Sequence, residues 1–382
     1  MANTLNNLAA DIYKAADIVG RELVGFIPSA TINGDATTRA AKGDTIRSHF
    51  TRTPTVNTSF APSMTIPEGT DQTVDNKTMT IDTYASVQIP WTGEEIKHVN
   101  NGSGFETIYG DQIKQAIRAL CNKIEVDLFT ATYKGASRAV GSAGTTPFGS
   151  NFDVIAEARQ ILVDNGAPID NQITAVLNTA AGTKLRNLAS LQQVNTSGST
   201  DLLRQGTLLD LQGVMIKESA GVTSHTKGAG SSYVTDGIQA KDSLSVVVKT
   251  GSGTVLAGDV VTFAGDTNNK YIVGTGITAA GTLLLNNTGL RQQIADANAM
   301  TIGNSYTPNV VFHKQAVELG IRPPAMPNGG DSAVDMMTIQ DPNSGLVFEV
   351  AVYKGYMKTM IEIRCLYGVK VWKPDFIATI MG

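Results

Sequence analysis

The stretch IKQAIRALCNKIEVDLF, residues 113–129, is where the fold declares itself. Ile113, Ile117, Leu120, Cys121, Ile124 and Leu128 recur at three- and four-residue spacing, with Lys114, Arg118, Lys123 and Glu125 off that stripe. This is the period of a helix that buries one face. It predicts a helix starting near Gly104 and running past Phe129, on the order of 35 Å long at about 1.5 Å per residue, a spine across a domain. The Gly-, Ser- and Ala-rich tract Lys134 to Gly149 ends it.

On the N-terminal side, Leu5, Leu8, Ile12, Ala15, Val19 and Leu23 predict an amphipathic helix, stopped by Pro28 and the polar SATINGDATTRAAKGDT that follows. The tract Thr51 to Thr58, with Pro54, reads as an extended arm, so residues 1–58 form an N-terminal arm with a helix. Ser59 to Thr92 alternates and is Thr-rich around a polar interruption at Glu68 to Lys77, which predicts a long two-stranded hairpin over 59–92. An isolated hairpin is marginal in water. It therefore lies either within an ordinary sheet or on another surface or chain.

On the C-terminal side a helix is expected over Phe152 to Val163, closed by Asn165, Gly166 and Pro168, and another over Ala180 to Leu191. Strands are expected at Ile173 to Leu177, Val214 to Lys217, Val347 to Tyr353 and Met360 to Tyr367, with a polar loop from Gln192 to Gly206. The mixture implies α+β layers. Composition shifts near Gly237. From there to Ser305 come Leu244 to Lys249, Val260 to Phe263, Tyr271 to Val273 and Thr282 to Leu285, separated by Gly, Asp and Asn turns, with only Leu290 to Asn298 helix-like. Many short strands avoid exposed edges by closing, so 237–305 reads as an inserted β-barrel-like domain.

Composition bounds the function. The 382 residues are 42% hydrophobic and 17% charged, suited to two or three folded domains. A net charge of −4 with scattered Lys and Arg argues against a dedicated nucleic-acid binder. Thirty-eight glycines and only 6% aromatic residues point to many turns, and to a chain that gains stability from neighbours. No run of 18 apolar residues occurs, and the N-terminus lacks the basic start and apolar stretch of a secretory signal, so a reducing cytoplasm and no membrane are expected. Cys121 and Cys365 read as buried free thiols.

Candidate chemistry is sparse. His49, His98, His225 and His313 stand far apart with no ligand spacing and read as structural or surface groups. Gly102 to Gly104, Gly141 to Gly144 and Gly251 to Gly258 lack the phosphate-loop patterns and read as turns, and no GxSxG elbow occurs. Asp266, Asn268 and Asn269 suggest calcium, but the later Glu of an EF-hand is missing, so a solvated turn is expected. Lys77 beside Asn76 hints at a cross-link, with a solvent-facing lysine the simpler account. No catalytic, cofactor-binding or metal-ligating residue is expected, and no enzyme.

Three stretches resemble the coat proteins of short-tailed phages that carry an inserted domain: Leu211 to Ser219 as Gly, strand and Ser turn; Asn309 to Ala316, with Phe312-His313-Lys314 and then Pro323, Pro324 and Pro327; and Arg364 to Gly368, with Pro374 and Ile377 near the end. Gly253 to Val273 is similar to that family's inserted barrel. The resemblance implies the Hong Kong 97 fold: N-terminal arm, hairpin loop, a peripheral domain with the spine helix (93–170), an axial domain (171–236), the insertion (237–305), and a return through both domains (306–382), closing in a strand and a terminal tail. It implies a major capsid protein in hexamers and pentamers of an icosahedral shell, with a scaffolding protein and a portal as partners. It implies, too, that double-stranded DNA is enclosed without sequence-specific contact, and that the protein is located in the virion capsid and, during assembly, in the host cytoplasm. An encapsulin-like nanocompartment shell is the rival within the fold, and a β-rich surface adhesin the rival outside it.

Overall fold

Phe105–Lys134 forms one continuous helix of 30 residues, about 45 Å at 1.5 Å per residue, longer than its apolar stripe because Tyr133 extends the buried face. The computed structural model describes residues 14–16, 18–19, 25–51, 56, 58, 62–66, 74–100, 105–192, 210–341 and 344–382. Before the spine helix come β1 (Thr31–Gly34), β2 (Thr45–Thr51), β3 (Val74–Thr80) and β4 (Thr83–Thr92), then a short helix, Gly93–Asn100. After it come β5 (Arg138–Gly141), a helix at Asp153–Asp164, β6 (Ile173–Leu177), a helix at Thr179–Arg186 and β7 (Met215–Glu218). Six strands make the insertion: β8 (Ser231–Thr235), β9 (Ser245–Ser252), β10 (Val260–Phe263), β11 (Asp266–Thr275), β12 (Gly281–Leu285) and β13 (Met300–Ile302). The chain returns through β14 (Pro308–His313), β15 (Val317–Arg322), β16 (Asp335–Gln340), β17 (Val347–Gly355), β18 (Lys358–Val371) and β19 (Ile377–Met381).

Two sheets flank one core. The first runs β1-β15-β18-β17-β16, with β4 paired to β18 along ten residues, Thr92 with Lys358 through Thr83 with Tyr367. Ile361, Ile363, Cys365 and Tyr367 alternate onto the face that meets the spine stripe, as the two-residue period of a strand requires. The second sheet runs β7-β6-β14-β19-β5. Its central strands read as unbroken apolar runs, ITAVL, PNVVFH and IATIM, and every residue in them is buried, the pattern of strands covered on both faces. The helix Asp153–Asp164 lays Ile155, Ala158, Ile161 and Leu162 on this sheet.

The insertion closes on itself. Strands pair in the order β8-β9-β12-β11-β10-β13, and a bridge from Val234 to Ala299 brings β13 back to β8. Its separate core includes Tyr233, Val246, Val261, Phe263, Tyr271 and Leu283. The barrel begins at Ser231, six residues before the composition shift, and β11 also pairs with β5, which joins it to the second sheet. Leu290 to Asn298, expected as a helix, is irregular: Ile294 bridges to Gln239 and Ala297 donates to the Thr235 carbonyl, so the segment serves barrel closure instead.

The ribbon differs from expectation. β3 pairs with β2, Thr45 opposite Thr80 through Thr51 opposite Val74, so the outgoing strand comes from the tract read as arm. Thr83–Thr92, read as the return strand, belongs to the first sheet. Polar alternation is shared by both strands, and only partner choice tells them apart. The ribbon root is not free either. Gly320 and Gly368 face one another across β15 and β18, and the absence of two side chains leaves a notch that receives Met79, Ile46 and the Thr80–Ile81 backbone. The expected C-terminal tail, Ile377 onward, is the buried β19, held between β14 and β5.

Two predictions follow from this packing. A Cβ on Gly368 would collide with the Thr80 carbonyl oxygen and stand 3.0 Å from the Ile81 Cα, so Gly368→Ala is expected to destabilise the fold by about 1–3 kcal/mol in denaturant titration. Burial pushes the thiols of Cys121 and Cys365 up to about 12, so neither should react with a maleimide in native protein at mildly alkaline pH, and both should react once it is unfolded.

Candidate assembly surface

The first element of the surface is the end of the ribbon, where Val56, Met64 and Ile66 stand exposed, Met64 and Ile66 almost wholly so. The backbone bends at Met64 and Thr65, where the Thr65 N–H donates to the Ser63 hydroxyl at 3.1 Å, so both side chains sit on an exposed turn rather than in a strand. The second is the β17–β18 hairpin, whose two loop residues, Tyr356 and Met357, are both exposed. The third is the outer wall of the barrel, where Val247 and Leu284 lie on the outward face of the β9–β12 pair, with Leu244 beside them. The fourth is an edge. Among the described residues no strand pairs with the side of β4 away from β18. Alongside that edge runs a groove of about 620 Å³, lined by Val87, Ile89 and Pro90 of β4 and by Gln112, Ala116 and Ala119 of the spine helix. An open edge beside an apolar floor accepts an extended segment, its backbone in the ladder and alternate side chains in the groove.

Three buried polar joints hold these surfaces in place. Glu125, at 7% exposure on the flank of the spine stripe, accepts the backbone N–H groups of Phe26 at 2.6 Å and Ile27 at 2.9 Å and the Ser219 hydroxyl at 2.8 Å. One carboxylate thus pins the N-terminal segment and the end of β7 to the spine. The second joint fastens the barrel. Asp259 accepts from the backbone N–H groups of Leu256 and Gly228 and bonds His225 Nε2 at 2.8 Å, while the His225 Nδ1 meets the Tyr133 hydroxyl at 3.2 Å. Asn286, leaving β12, donates to the carbonyls of Lys134 and Ala136, both at 2.7 Å, and so caps the C-terminal end of the spine helix. In the third, Arg364 binds Glu349 and Asp331, and Arg39 pairs with the same, fully buried Glu349 at 2.5 Å. The Tyr353 hydroxyl and the Arg364 guanidinium hold the Asp331 carboxyl below its ordinary range.

The residues singled out in the sequence fall into place as structural groups. His313 is fully buried; its Nε2 bonds Asp170 at 3.0 Å and its Nδ1 accepts the Gln315 N–H, capping the turn after β14. His225 is likewise buried, and the side chains of His49 and His98 lie outside the described residues. Asp266 is no solvated turn: it is buried at the start of β11 and accepts from Asn269 and the Tyr271 hydroxyl. Lys77 is not simply solvent-facing, because its Nζ donates to the Trp372 carbonyl at 3.0 Å. Of the N-terminal segment, Ala15, Ala16, Val19, Phe26 and Ile27 enter the main core of the same chain. Sequence reasoning missed Glu125 and Asn286 as joints. A charge hugging the edge of an apolar stripe was the only local signal for Glu125, and Asn286 gave none.

This architecture has counterparts among solved structures. Over 94% of its length the chain is similar to the capsid structure of the cyanophage P-SCSP1u, covering 88% of that chain at 12% identity with a TM-score of 0.53. The chain has a phage capsid fold. A structure from Mycobacterium phage Che8 is similar at 15% identity and TM-score 0.49, with 94% of this chain and 91% of that one covered. The mature capsid of bacteriophage PhiM1 is similar at 13% identity and TM-score 0.48, with 94% and 87% covered. No protein-family model and no curated protein matches the sequence. The expected α+β, Hong Kong 97-type class is thus the class observed. Within the capsid fold, Glu125 is the group whose loss should be felt first. Glu125→Ala leaves two buried N–H donors unpaired and is expected to cost about 1–3 kcal/mol for each, with faster proteolysis ahead of Phe26 as the companion readout.

Proposed function

We propose that the chain is a major capsid protein, a structural subunit that assembles into the hexamers and pentamers of an icosahedral phage head. The observation that carries this is the capsid fold itself, combined with large apolar side chains standing exposed at the ribbon end, the β17–β18 loop and the barrel wall. Solvated by water in the monomer, these groups gain by burial against other copies, and obligate assemblies cover roughly 2,000–5,000 Å² in this way.

In this reading the segment ahead of β2 acts as the arm, the ribbon as the extended loop, the spine helix and first sheet as the peripheral domain, and the second sheet as the axial domain. The ribbon end of one copy lies along the open β4 edge of a neighbour, placing Met64 and Ile66 over Val87, Ile89 and Ala116. Partners follow from the role: a scaffolding protein and a portal during assembly in the host cytoplasm, and double-stranded DNA inside the finished virion. A net charge of −4 suits a wall that must not grip the polymer it encloses.

Negative-stain imaging and size-exclusion chromatography test the proposal. Wild-type protein is expected to give capsomers or megadalton particles. The double variant Met64→Asp, Ile66→Asp, altered only at exposed positions, should unfold at the wild-type temperature yet fail to form them. A wild-type chain that stays monomeric at every concentration, or normal particles from the double variant, would overturn the assignment.

A further inference from the structure

Four Asn–Gly pairs occur in the sequence, at 33–34, 101–102, 165–166 and 328–329, and the second lies outside the described residues. Such a pair is chemically labile when the glycine nitrogen is free to reach the asparagine side chain, because glycine offers no Cβ to obstruct ring closure and moves freely in φ and ψ. The three described pairs differ sharply in that freedom.

Asn33 lies in β1, paired with β15, and both ends of its side-chain amide are engaged: Oδ1 accepts from Arg322 at 2.8 Å and Nδ2 donates to Glu318 at 2.9 Å. Asn165 donates to the Asp375 carbonyl at 2.9 Å, and the attacking group beside it, the Gly166 N–H, already donates to the Val163 carbonyl at 2.9 Å. Asn328 is exposed and its side chain has no partner among the described residues. It stands in a turn closed by one bond, Gly330 N–H to the Pro327 carbonyl at 3.1 Å, and the Gly329 N–H donates to nothing described. Gly329 and Gly330 both have positive φ, +91° and +89°, with open space where a side chain would be.

We propose that Asn328 is a site of spontaneous covalent modification, converted from amide to carboxylate through a cyclic imide formed with Gly329. The Gly329 nitrogen bonds to the Asn328 side-chain carbonyl carbon, the bond from that carbon to the amide nitrogen breaks, and ammonia leaves with the proton the glycine nitrogen gives up. Water then opens the ring. Attack at the side-chain carbonyl gives aspartate, and attack at the main-chain carbonyl gives isoaspartate, with the chain continuing through the former side chain. The sum is amide plus water giving carboxylate plus ammonium, and no oxidant or cofactor is needed. Either product places a negative charge three residues before Asp331, whose carboxylate accepts the Tyr353 hydroxyl at 2.6 Å and binds Arg364 at 3.2 Å. Isoaspartate also adds a backbone atom to the loop. The modification therefore loosens the tether between this loop and the outer face of the first sheet as the protein ages.

The test uses the full chain, incubated folded in mildly alkaline buffer and in parallel in concentrated urea, with peptide mass spectrometry and labelling by an isoaspartyl methyltransferase. In the folded sample a gain of about 1 Da is expected at Asn328 and not at Asn33 or Asn165, whereas in urea all three should convert. Asn328→Gln, which would have to close a larger ring, should abolish the methyl labelling of the peptide that contains residue 328 in folded protein. Conversion of Asn33 or Asn165 as fast as Asn328 in the folded chain, or an Asn328 that stays intact while the unfolded sample reacts, would overturn the proposal, as would undiminished labelling of the residue-328 peptide in Asn328→Gln.

Discussion

The spine helix against β18 is the contact on which everything else is hung. Ile113, Ile117, Leu120, Cys121, Ile124 and Leu128 from the helix share one core with Ile361, Ile363, Cys365 and Tyr367 from the strand, all buried. Burying an aliphatic side chain of this size stabilises by about 1.5–3 kcal/mol, so a stripe of this length outweighs any single polar joint in the molecule. The Tyr367 hydroxyl adds a bond to Asp127 at 2.6 Å that sets the register between helix and strand. β18 then templates β4 on one edge and β17 and β15 on the other, and the position of that one strand fixes the whole first sheet.

Around this contact the chain places its polar groups by a consistent logic. Glu125, the His225–Asp259 pair and the Arg364 cluster each join segments far apart in sequence, and each is largely withdrawn from water. Buried charge is costly unless fully bonded, so such groups specify one arrangement more than they add net stability. They weld the N-terminal segment, the barrel and the first sheet to the spine. The exposed apolar residues, by contrast, sit at the ends of projecting elements and on the barrel wall, where none of the described residues covers them.

Legibility followed the range of the interactions involved. The spine helix, the strand Ile173–Leu177 and the strand Val260–Phe263 were readable because apolar periodicity is written in adjacent residues. The barrel was legible as a class, since a series of short strands with Gly and Asn turns has few ways to hide its edges. The ribbon was misread because Thr45–Thr51 and Thr83–Thr92 are both polar, alternating and Thr-rich, and pairing depends on the Gly320–Gly368 notch hundreds of residues away. Leu290 to Asn298 carries helical spacing yet is held as an irregular run of bends and turns by its bonds to Thr235 and Gln239.

The amino-acid sequence alone determined the spine helix, the helix at Asp153–Asp164, strands such as Ile173–Leu177 and Val260–Phe263, the separate core of the insertion and the absence of any recognisable catalytic motif, because each rests on local period or composition. Tertiary structure alone decided that β19 is a central strand, that Glu125 and Asn286 are joints, which strand the ribbon pairs with, and which apolar side chains remain in water. Those outcomes turn on partners brought together across the chain, and burial is a property of the finished surface that no short window of residues encodes.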